Sequence, residues 1–260
     1  MNNGHVVIGN GTVGVATAKV FAIKNFYSRS EKTVEFGDLY SFEFLWICLP
    51  TPVTELGYYD MSIVEGFLEE FYKTLKDDVI APIIVIRSTV RPGFASEMSK
   101  IYPRLRFVSN PEFLSEDTAI EDALHPDIVV IGTDDQFAGD QVEAVYRGRF
   151  KLMDLIRTSS VTAELIKLSL NAFFATKVVF ANSVYNYAQR LGADYKMVSR
   201  IINRHKWGSK NHFEIFHKGG RGAGGKCLKK DITAMAHHSE QPFFRIVDEV
   251  NKELLEKSKK

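Results

Sequence analysis

The chain has 260 residues, of which 45% are hydrophobic and 25% charged, and its formal net charge is +1. This composition is typical of a globular protein with a sizeable core, and a charge near zero indicates no general attraction to nucleic acid or to anionic membranes. Two cysteines, Cys48 and Cys227, are too few for a disulfide framework, and no run is long and apolar enough to span a membrane. With no signal peptide before the first predicted strand, we expect the protein to work in a reducing cytoplasm.

The first part of the chain alternates strand and helix patterns. Short apolar runs predict strands, and helical spacing predicts helices between several of them. Such alternation indicates an α/β fold with a mostly parallel, doubly wound sheet and helices on both faces. The predicted strands are His5–Ile8, Phe26–Tyr27, Phe44–Leu49, Ile83–Ile86, Phe107–Val108 and Ile128–Ile131, and the predicted helices are Val15–Lys24, Met61–Leu75 and Phe94–Lys100.

The character of the sequence changes after about residue 158. A helical pattern without Gly or Pro runs from Thr162 to Leu191, a second helix is predicted at Asp194–Asn203, and more helical sequence follows from Ile232. We therefore predict an α/β domain over residues 1–158 and a helical domain, built on one long helix, over residues 159–260.

A glycine-rich segment follows the first predicted strand. Gly9, Gly11 and Gly14 have the GxGxxG spacing at a point where a strand gives way to a helix. This is the context of the dinucleotide fingerprint, in which glycines make a tight turn and admit a pyrophosphate to the helix N-terminus. We predict that this turn, including Thr12 and Val13, binds a dinucleotide on a Rossmann-like sheet.

The end of the second predicted strand lacks the acidic residue that would bind an adenosine ribose. Ser28, Arg29 and Ser30 stand there, and Glu31 is the nearest acid. An arginine flanked by serines suits a 2′-phosphate, so NADP is possible beside NAD. Alternatively, Arg29 stacks on the adenine or is solvated.

A second glycine-rich segment begins at Gly219 and leads directly to Cys227. Glycines let a backbone approach a ligand closely, and Asp231 would share a helix face with Cys227 if the following residues are helical. A helix N-terminus and nearby lysines, among them Lys226, favour a reactive thiolate. The alternative is a flexible linker that contains a packed cysteine.

Four other segments carry polar residues: 47–52, 87–93, 110–116 and 163–171. The first three follow predicted strands, and loops at the carboxyl ends of parallel strands line a ligand crevice. On the predicted long helix, Lys167 and Asn171 share one face. Each segment alone could be a turn, a cap or a solvated face.

In this order, the segments resemble the UDP-glucose/GDP-mannose dehydrogenase family. The resemblance runs from Gly9 to Asn251 through the patterns GxGxVG, ICxPTP, STVxPG, NPEFLxE, AELIKxxxN and GGxCLxKD. It implies a nucleotide-sugar 6-dehydrogenase, similar to UDP-glucose 6-dehydrogenase, that oxidises a primary alcohol to a carboxylate by two hydride transfers to NAD.

The resemblance also implies roles for individual residues. Cys227 would form a thiohemiacetal and then a thioester, and Lys167 with Asn171 would stabilise an oxyanion. Asp231, with a water and Thr89, would transfer protons, and Glu112 would assist thioester hydrolysis. Besides Arg29, which is predicted above from its position after the second strand, the remaining cofactor contacts would be Pro50, Thr51, Pro52, Ser88, Thr89, Glu116 and Lys230. Substrate contacts would be Glu112, Phe113, Leu114, Lys167, Asn171 and Gly224, and no metal ligands are expected.

The sequence departs from the family pattern in several places. Family members continue into a second α/β domain that helps to hold the nucleotide, whereas this chain stops at Lys260, so a separate chain could supply that domain. The resemblance implies a homodimer formed through the helix at 162–191, with no nucleic acid or membrane partner. Less typical residues in the motifs are Asp117, Arg221, Ala223 and Lys226.

Two other functions stay open. A non-catalytic protein that binds a cofactor or a nucleotide sugar would produce no reduced cofactor. A 3-hydroxyacid dehydrogenase also combines a Rossmann domain with a long helix and a Lys/Asn pair, but its chemistry needs no cysteine. Turnover would yield two, zero or one reduced cofactor per substrate for the three functions.

Overall fold

The computed structural model describes residues 4–151, 153–206, 208, 212–216, 220–225 and 227–257. The chain forms two compact units. The first comprises Met1–Pro52 with Tyr59–Lys167, and the second comprises Val53–Tyr58 with Leu168–Lys260. The domain boundary expected near residue 158 stays a prediction.

A seven-stranded sheet forms the centre of the first unit, in the order β2-β1-β3-β4-β5-β6-β7. Strands β1 to β5 are parallel; β6 pairs with β5 in the antiparallel sense, through Ser109 and Gly132, and β7 is parallel to β6. The strands are β1 (His5–Ile8), β2 (Phe26–Tyr27), β3 (Phe44–Ile47), β4 (Ile83–Ile86), β5 (Arg106–Ser109), β6 (Ile128–Gly132) and β7 (Asp154–Thr158).

Apolar residues make the central strands of this sheet. Every residue of β3 and β4 is buried, so both faces of the sheet are covered at its centre. Trp46, Val85 and Ile131 belong to one buried cluster with Val142 and Tyr146 of a covering helix. The helices of this unit are α1 (Thr12–Phe21), α2 (Ser62–Thr74), α3 (Phe94–Ile101), α4 (Ala119–Leu124) and α5 (Gln136–Arg149), with a 3₁₀ helix at Phe36–Ser41.

The strand order reverses at β1. The chain pairs β2 on one side of β1 and then returns to pair β3 on the other side. In open α/β sheets, ligands bind at such a reversal, outside the carboxyl ends of the strands. The loops after β1 and β3 occupy this position.

The secondary-structure elements described in the second unit are helices, joined by irregular segments. It contains most of α6 (Ser160–Leu191), followed by α7 (Tyr195–Arg204), α8 (Cys227–His238) and α9 (Pro242–Lys257). Asp194 begins α7 by accepting a hydrogen bond from the Met197 N–H (3.2 Å). Tyr195 is buried in a cluster with Phe213 and Ile215, and its hydroxyl donates to the Phe213 carbonyl oxygen (2.9 Å).

Most predicted elements are confirmed, and the ends of several differ from the prediction by one to three residues. Two of these differences have a local cause. Strand β3 ends at Ile47, so Cys48 is buried but lies beyond the strand; the prolines that follow cannot donate ladder hydrogen bonds. Helix α1 starts at Thr12 rather than Val15 and ends at Phe21 rather than Lys24, because Ala22 takes a left-handed φ of 51°. Among the described residues, no helix has the length and apolar character needed to cross a membrane.

Candidate active site

The first glycine-rich segment forms the turn between β1 and α1. Gly9 has a φ of 100°, and a Cβ there would lie 2.5 Å from the Cys48 carbonyl oxygen. A Cβ at Gly14 would lie 2.1 Å from the Gly9 carbonyl oxygen. A Cβ at Gly11 would meet no atom within 4 Å, and no side chain caps α1 there. The turn is closed on its inner side and open at the helix N-terminus, which fits a bound pyrophosphate. The first turn of α1 contains Thr12 and Val13.

A tight turn after β2 brings Glu31 back toward this glycine turn. The backbone N–H and the hydroxyl of Ser28 both donate to the Glu31 carbonyl oxygen, each at 2.9 Å. Asn10 Nδ2 donates to Glu31 Oε2 (3.5 Å), and Ser30 Oγ donates to Asn10 Oδ1 (3.0 Å). A carboxylate thus lies beside the turn although the strand end itself has none. Arg29 is exposed, and its contact with a cofactor stays a prediction.

The loops after β3 and β4 are hydrogen-bonded to each other. Thr51 Oγ1 donates to the Thr89 carbonyl oxygen (2.6 Å), and Ser88 Oγ donates to the Leu49 carbonyl oxygen (2.7 Å). Thr51 and Ser88 are buried, and Thr89 is half-buried. Two predicted cofactor loops therefore form one fixed edge next to the reversal in strand order. The flanking prolines, Pro50 and Pro52, are exposed.

Lys167 forms a buried ion pair with Glu112. Lys167 Nζ lies 3.0 Å from Glu112 Oε1, and both side chains are less than a tenth exposed. The second carboxylate oxygen of Glu112 accepts the Leu114 N–H (2.7 Å), and the Phe113 ring lies 5.9 Å from Lys167 Nζ. Two predicted site residues therefore share one contact, and removing either would leave a buried charge unpaired.

Glu164, one turn before Lys167 on α6, is a buried residue that sequence reasoning missed. Its carboxylate accepts hydrogen bonds from the Gly93 N–H (2.6 Å), the Ala95 N–H (3.0 Å) and Ser109 Oγ (2.7 Å). It therefore caps the N-terminus of α3 from another helix. Burial raises the pKa of Glu164, and these hydrogen bonds oppose the rise.

A cavity of about 10 Å³ lies beside Glu164 and Lys167. This volume is close to the minimum that holds one water molecule. Ser88, Thr89 and Ser109 also line the cavity. Three predicted site residues, Ser88, Thr89 and Lys167, thus lie around one small cavity.

In the second unit, Cys227 is the first residue of α8 and is exposed. One turn later, Asp231 is buried, and its Oδ2 accepts a hydrogen bond of 2.5 Å from Asn171 Nδ2 of α6. Lys230 Nζ lies 3.7 Å from Asp231 Oδ1. The predicted helical spacing of Cys227 and Asp231 is confirmed, and α6 carries Lys167 and Asn171 one turn apart.

For two other predicted site residues, the structure gives the exposure and no test of the predicted contact. Glu116 is exposed and Gly224 is half-buried, and both stay predictions as cofactor or substrate contacts. Gly219 and Lys226 lie outside the described residues.

Two sequence models of one family match this chain. The model described as "UDP-glucose/GDP-mannose dehydrogenase family, NAD binding domain" matches residues 28–149, and the model of the same family's central domain matches residues 161–253. The chain belongs to the UDP-glucose/GDP-mannose dehydrogenase family. The central-domain match contains Lys167, Asn171, Cys227 and Asp231, whereas the NAD-binding match begins after the glycine turn.

Named members of the family are similar over most of this chain. A UDP-glucose 6-dehydrogenase of Rickettsia typhi is 32% identical over 212 residues, which are 78% of this chain and 47% of that protein. A GDP-mannose 6-dehydrogenase of Pseudomonas savastanoi pv. phaseolicola is 33% identical over 207 residues, which are 74% of this chain and 45% of that protein. The chain therefore spans about half the length of the curated relatives it matches.

Solved structures of the family share the fold. A UDP-glucose dehydrogenase from Pyrobaculum islandicum superposes with a TM-score of 0.83 at 24% identity, covering 97% of this chain and 68% of the other. A UDP-D-ManNAc dehydrogenase from Pyrococcus horikoshii gives a TM-score of 0.83 at 21% identity, covering 96% and 68%. At these identities the likeness concerns the fold alone.

Proposed function

We propose that the chain is a nucleotide-sugar 6-dehydrogenase that oxidises the sugar's primary alcohol to the carboxylate. Family membership supports the reaction class. The observation that carries the proposal is the exposed thiol of Cys227 at the first residue of α8. The other cysteine, Cys48, does not suit this role, because burial raises its pKa to about 11 and keeps the thiol protonated. A reducing compartment would keep the Cys227 thiol available.

When bound, NAD supplies the hydride acceptor for both oxidations. The open N-terminus of α1 at Gly11 would hold the pyrophosphate through backbone N–H groups. Glu31 would bind the adenosine ribose hydroxyls, because its carboxylate lies beside Asn10 of the glycine turn. We assign the other cofactor contacts to Gly9, Thr12, Val13, Gly14, Arg29, Pro50, Thr51, Pro52, Ser88, Thr89, Glu116 and Lys230.

Cys227 would carry the sugar carbon between the two oxidations. Its sulfur adds to the aldehyde carbon made in the first oxidation, and a proton is transferred to the carbonyl oxygen, which gives a thiohemiacetal. Loss of a hydride from that carbon and a proton from its hydroxyl gives a thioester. Water then attacks the thioester carbon, the thiol leaves, and the acid is released.

Polar and charged groups near α6 would stabilise the oxygen atoms and transfer the protons in these reaction steps. Lys167 and Asn171 would stabilise the oxyanion, and Asp231 fixes the Asn171 amide by accepting its N–H. Glu112 holds the Lys167 ammonium through one oxygen and would accept a proton from the attacking water. Thr89 would orient a water for proton transfer with Asp231.

Three further residues are proposed to contact the substrate: Phe113, Leu114 and Gly224. The N–H of Leu114 already donates to Glu112, so Leu114 would contact the sugar by its side chain or carbonyl. UDP-glucose is our first choice of substrate and GDP-mannose the second, because relatives of both names are similar to this chain.

The experiment counts reduced cofactor per sugar consumed. Purified protein is given a panel of UDP- and GDP-sugars with NAD or NADP, and absorbance at the reduced-cofactor band is compared with the acid formed. Two reduced cofactors per acid are expected. One reduced cofactor would favour a 3-hydroxyacid dehydrogenase type of reaction, and none would favour a non-catalytic binding protein.

The variant Cys227→Ala tests the role of the thiol in the same assay. It should abolish acid formation and leave NADH binding, measured by fluorescence, within about twofold of wild type, because its α-carbon lies in α8 and not in the glycine turn. Acid formation at the wild-type rate in this variant would rule out the thioester.

We also propose a homodimer formed through α6. Phe173, Phe180 and Tyr187 follow one another at intervals of seven residues, and each is more than half exposed. Such a row lies on one helix face, and an exposed apolar row indicates a protein interface. Light scattering should give twice the chain mass of 29.4 kDa. Phe180→Asp should shift the protein toward monomer, whereas Ile246→Asp, at an equally exposed position on α9, should not.

A further inference from the structure

The loop before Cys227 is held by a side chain of α9. Asn251 is fully buried; its Oδ1 accepts the Ala223 N–H (2.7 Å), and its Nδ2 donates to the Ala223 carbonyl oxygen (3.1 Å). Both ends of one amide thus pair with both peptide groups of one loop residue. Because a buried amide that loses its partners is destabilising, this pair fixes the place and orientation of the Ala223 backbone.

The backbone of the loop turns at Ala223, next to the Asn251 amide. The Gly224 N–H donates to the Gly222 carbonyl oxygen (3.1 Å), which makes a three-residue turn centred on Ala223. Gly222 has a φ of 86°, and a Cβ there would lie 3.0 Å from Asn251 Oδ1 and 3.1 Å from Leu254 Cβ. Only glycine meets both the backbone angle and the close approach of α9.

A second anchor joins the same loop to α6. Arg221 Nε donates to Asn182 Oδ1 (3.0 Å), and a terminal guanidinium nitrogen donates to Asn186 Oδ1 (2.7 Å). The guanidinium carbon lies 5.2 Å from the centre of the Tyr185 ring. The loop is therefore fixed to α6 at Arg221 and to α9 at Ala223.

We propose that Asn251 is a positioning residue that sets the place of the Cys227 thiol by holding the loop at Ala223. Ala223 precedes Cys227 by four residues, and α8 starts at Cys227. A nucleophile displaced by about 1 Å can lose on the order of a hundredfold in rate. The consequence for turnover rests on the proposed function, whereas the consequence for the thiol does not.

The test compares Asn251→Leu with Thr233→Val. The leucine removes both hydrogen bonds to the loop at similar side-chain volume. The valine removes the hydroxyl that donates to Asp248 Oδ1 (2.8 Å), a bond between the same helices α8 and α9 that does not involve the loop. We expect Asn251→Leu to lower kcat on the order of tenfold or more with unchanged KM values. Thr233→Val should keep the wild-type kcat at a comparable loss in Tm.

Thiol reactivity supplies a readout that needs no sugar. Iodoacetamide labelling is followed from pH 6 to pH 10, and mass spectrometry of peptides separates the two cysteines. The profile of Cys227 in Asn251→Leu should move toward that of an unstructured cysteine peptide, while the profile in Thr233→Val should match wild type. Cys48 is buried, so its labelling reports unfolding.

Each outcome decides the inference. If kcat falls in proportion to Tm in both variants and the Cys227 profile of Asn251→Leu equals that of wild type, Asn251 is structural only and the inference is wrong. If wild type oxidises no nucleotide sugar, the proposed function fails, and the labelling profiles still decide this inference. If Asn251→Leu does not fold, Asn251→Asp, which keeps one of the two hydrogen bonds, replaces it with the same criteria and a smaller expected effect.

Discussion

Glu164→Ala should destabilise the first unit by about 3 kcal/mol. The carboxylate caps α3 through the N–H groups of Gly93 and Ala95, and losing such a cap costs about 1 kcal/mol. The buried hydroxyl of Ser109 would lose its acceptor, which costs about 2 kcal/mol. For a chain of this size the total corresponds to a fall in Tm of about 6–12 °C. Thermal unfolding followed by circular dichroism measures it.

Two further variants test whether the loss of stability comes from the buried hydrogen bonds of Glu164. Ser96→Ala removes an exposed hydrogen bond from the same helix to Asp134, and it should change stability by less than about 0.5 kcal/mol. In a Ser109→Ala background, Glu164→Ala should cost only about 1 kcal/mol, since no hydroxyl is left unpaired. If Glu164→Ala is as stable as Ser96→Ala, or if it costs the same in both backgrounds, Glu164 does not cap α3 and pair with Ser109 in the way described.

The pH dependence of the same variant has a defined sign. Burial raises the pKa of Glu164 above its ordinary value of 4.5, so the folded chain binds this proton more tightly than the unfolded chain does. The contribution of Glu164 is then fully present below pH 4.5 and decreases as the pH rises through the raised pKa. The stability difference between wild type and Glu164→Ala should therefore be larger at pH 4 than at pH 8.

Two other changes test the cofactor turn and the buried polar network. Arg29→Asp should increase the preference for NADH over NADPH by roughly tenfold or more, and Glu31→Gln should decrease it, because a carboxylate repels a 2′-phosphate. Fluorescence titration of both cofactors measures the ratio of the two dissociation constants. An unchanged ratio in both variants would mean that the ribose binds elsewhere. Tyr146→Phe should cost about 1–2 kcal/mol in urea unfolding. It removes a hydroxyl that donates to Asn110 Oδ1 (2.6 Å) and accepts a hydrogen bond from Arg87 Nη1 (2.8 Å). An unchanged unfolding midpoint would contradict this.

Local pattern was enough to predict the central strands and β2 at one edge of the sheet, but not β7 at the other edge. β1 and β4 are short apolar runs, and both were predicted residue for residue. β7 is an edge strand of half-exposed residues with no apolar run, so it was missed. Helix α5 was also missed, because Gly139 and Gly148 interrupt a largely polar segment and its stability comes from the buried Val142 and Tyr146.

The motif residues of the candidate site could be predicted from the sequence, but the long-range contacts that hold them could not. Cys227 and Asp231 were found from their spacing and from the glycines before them. Asn251 contacts Ala223 across 28 residues, and Glu164 contacts Ala95 across 69. No local rule pairs residues so far apart, because the helix packing that joins them is decided by the whole core.

The contacts of α9 with the cysteine loop set a lower limit on how far the chain can be shortened. Every residue to which we assign a catalytic or binding role lies at or before Asp231, so a chain ending at residue 240 would retain all of them. It would lose the amide of Asn251, and with it Leu254 and Leu255, which lie against Gly222. The family's central-domain match ends at residue 253, yet these contacts continue beyond it. The smallest fragment with native chemistry at Cys227 should therefore extend past the last residue of the recognisable family sequence.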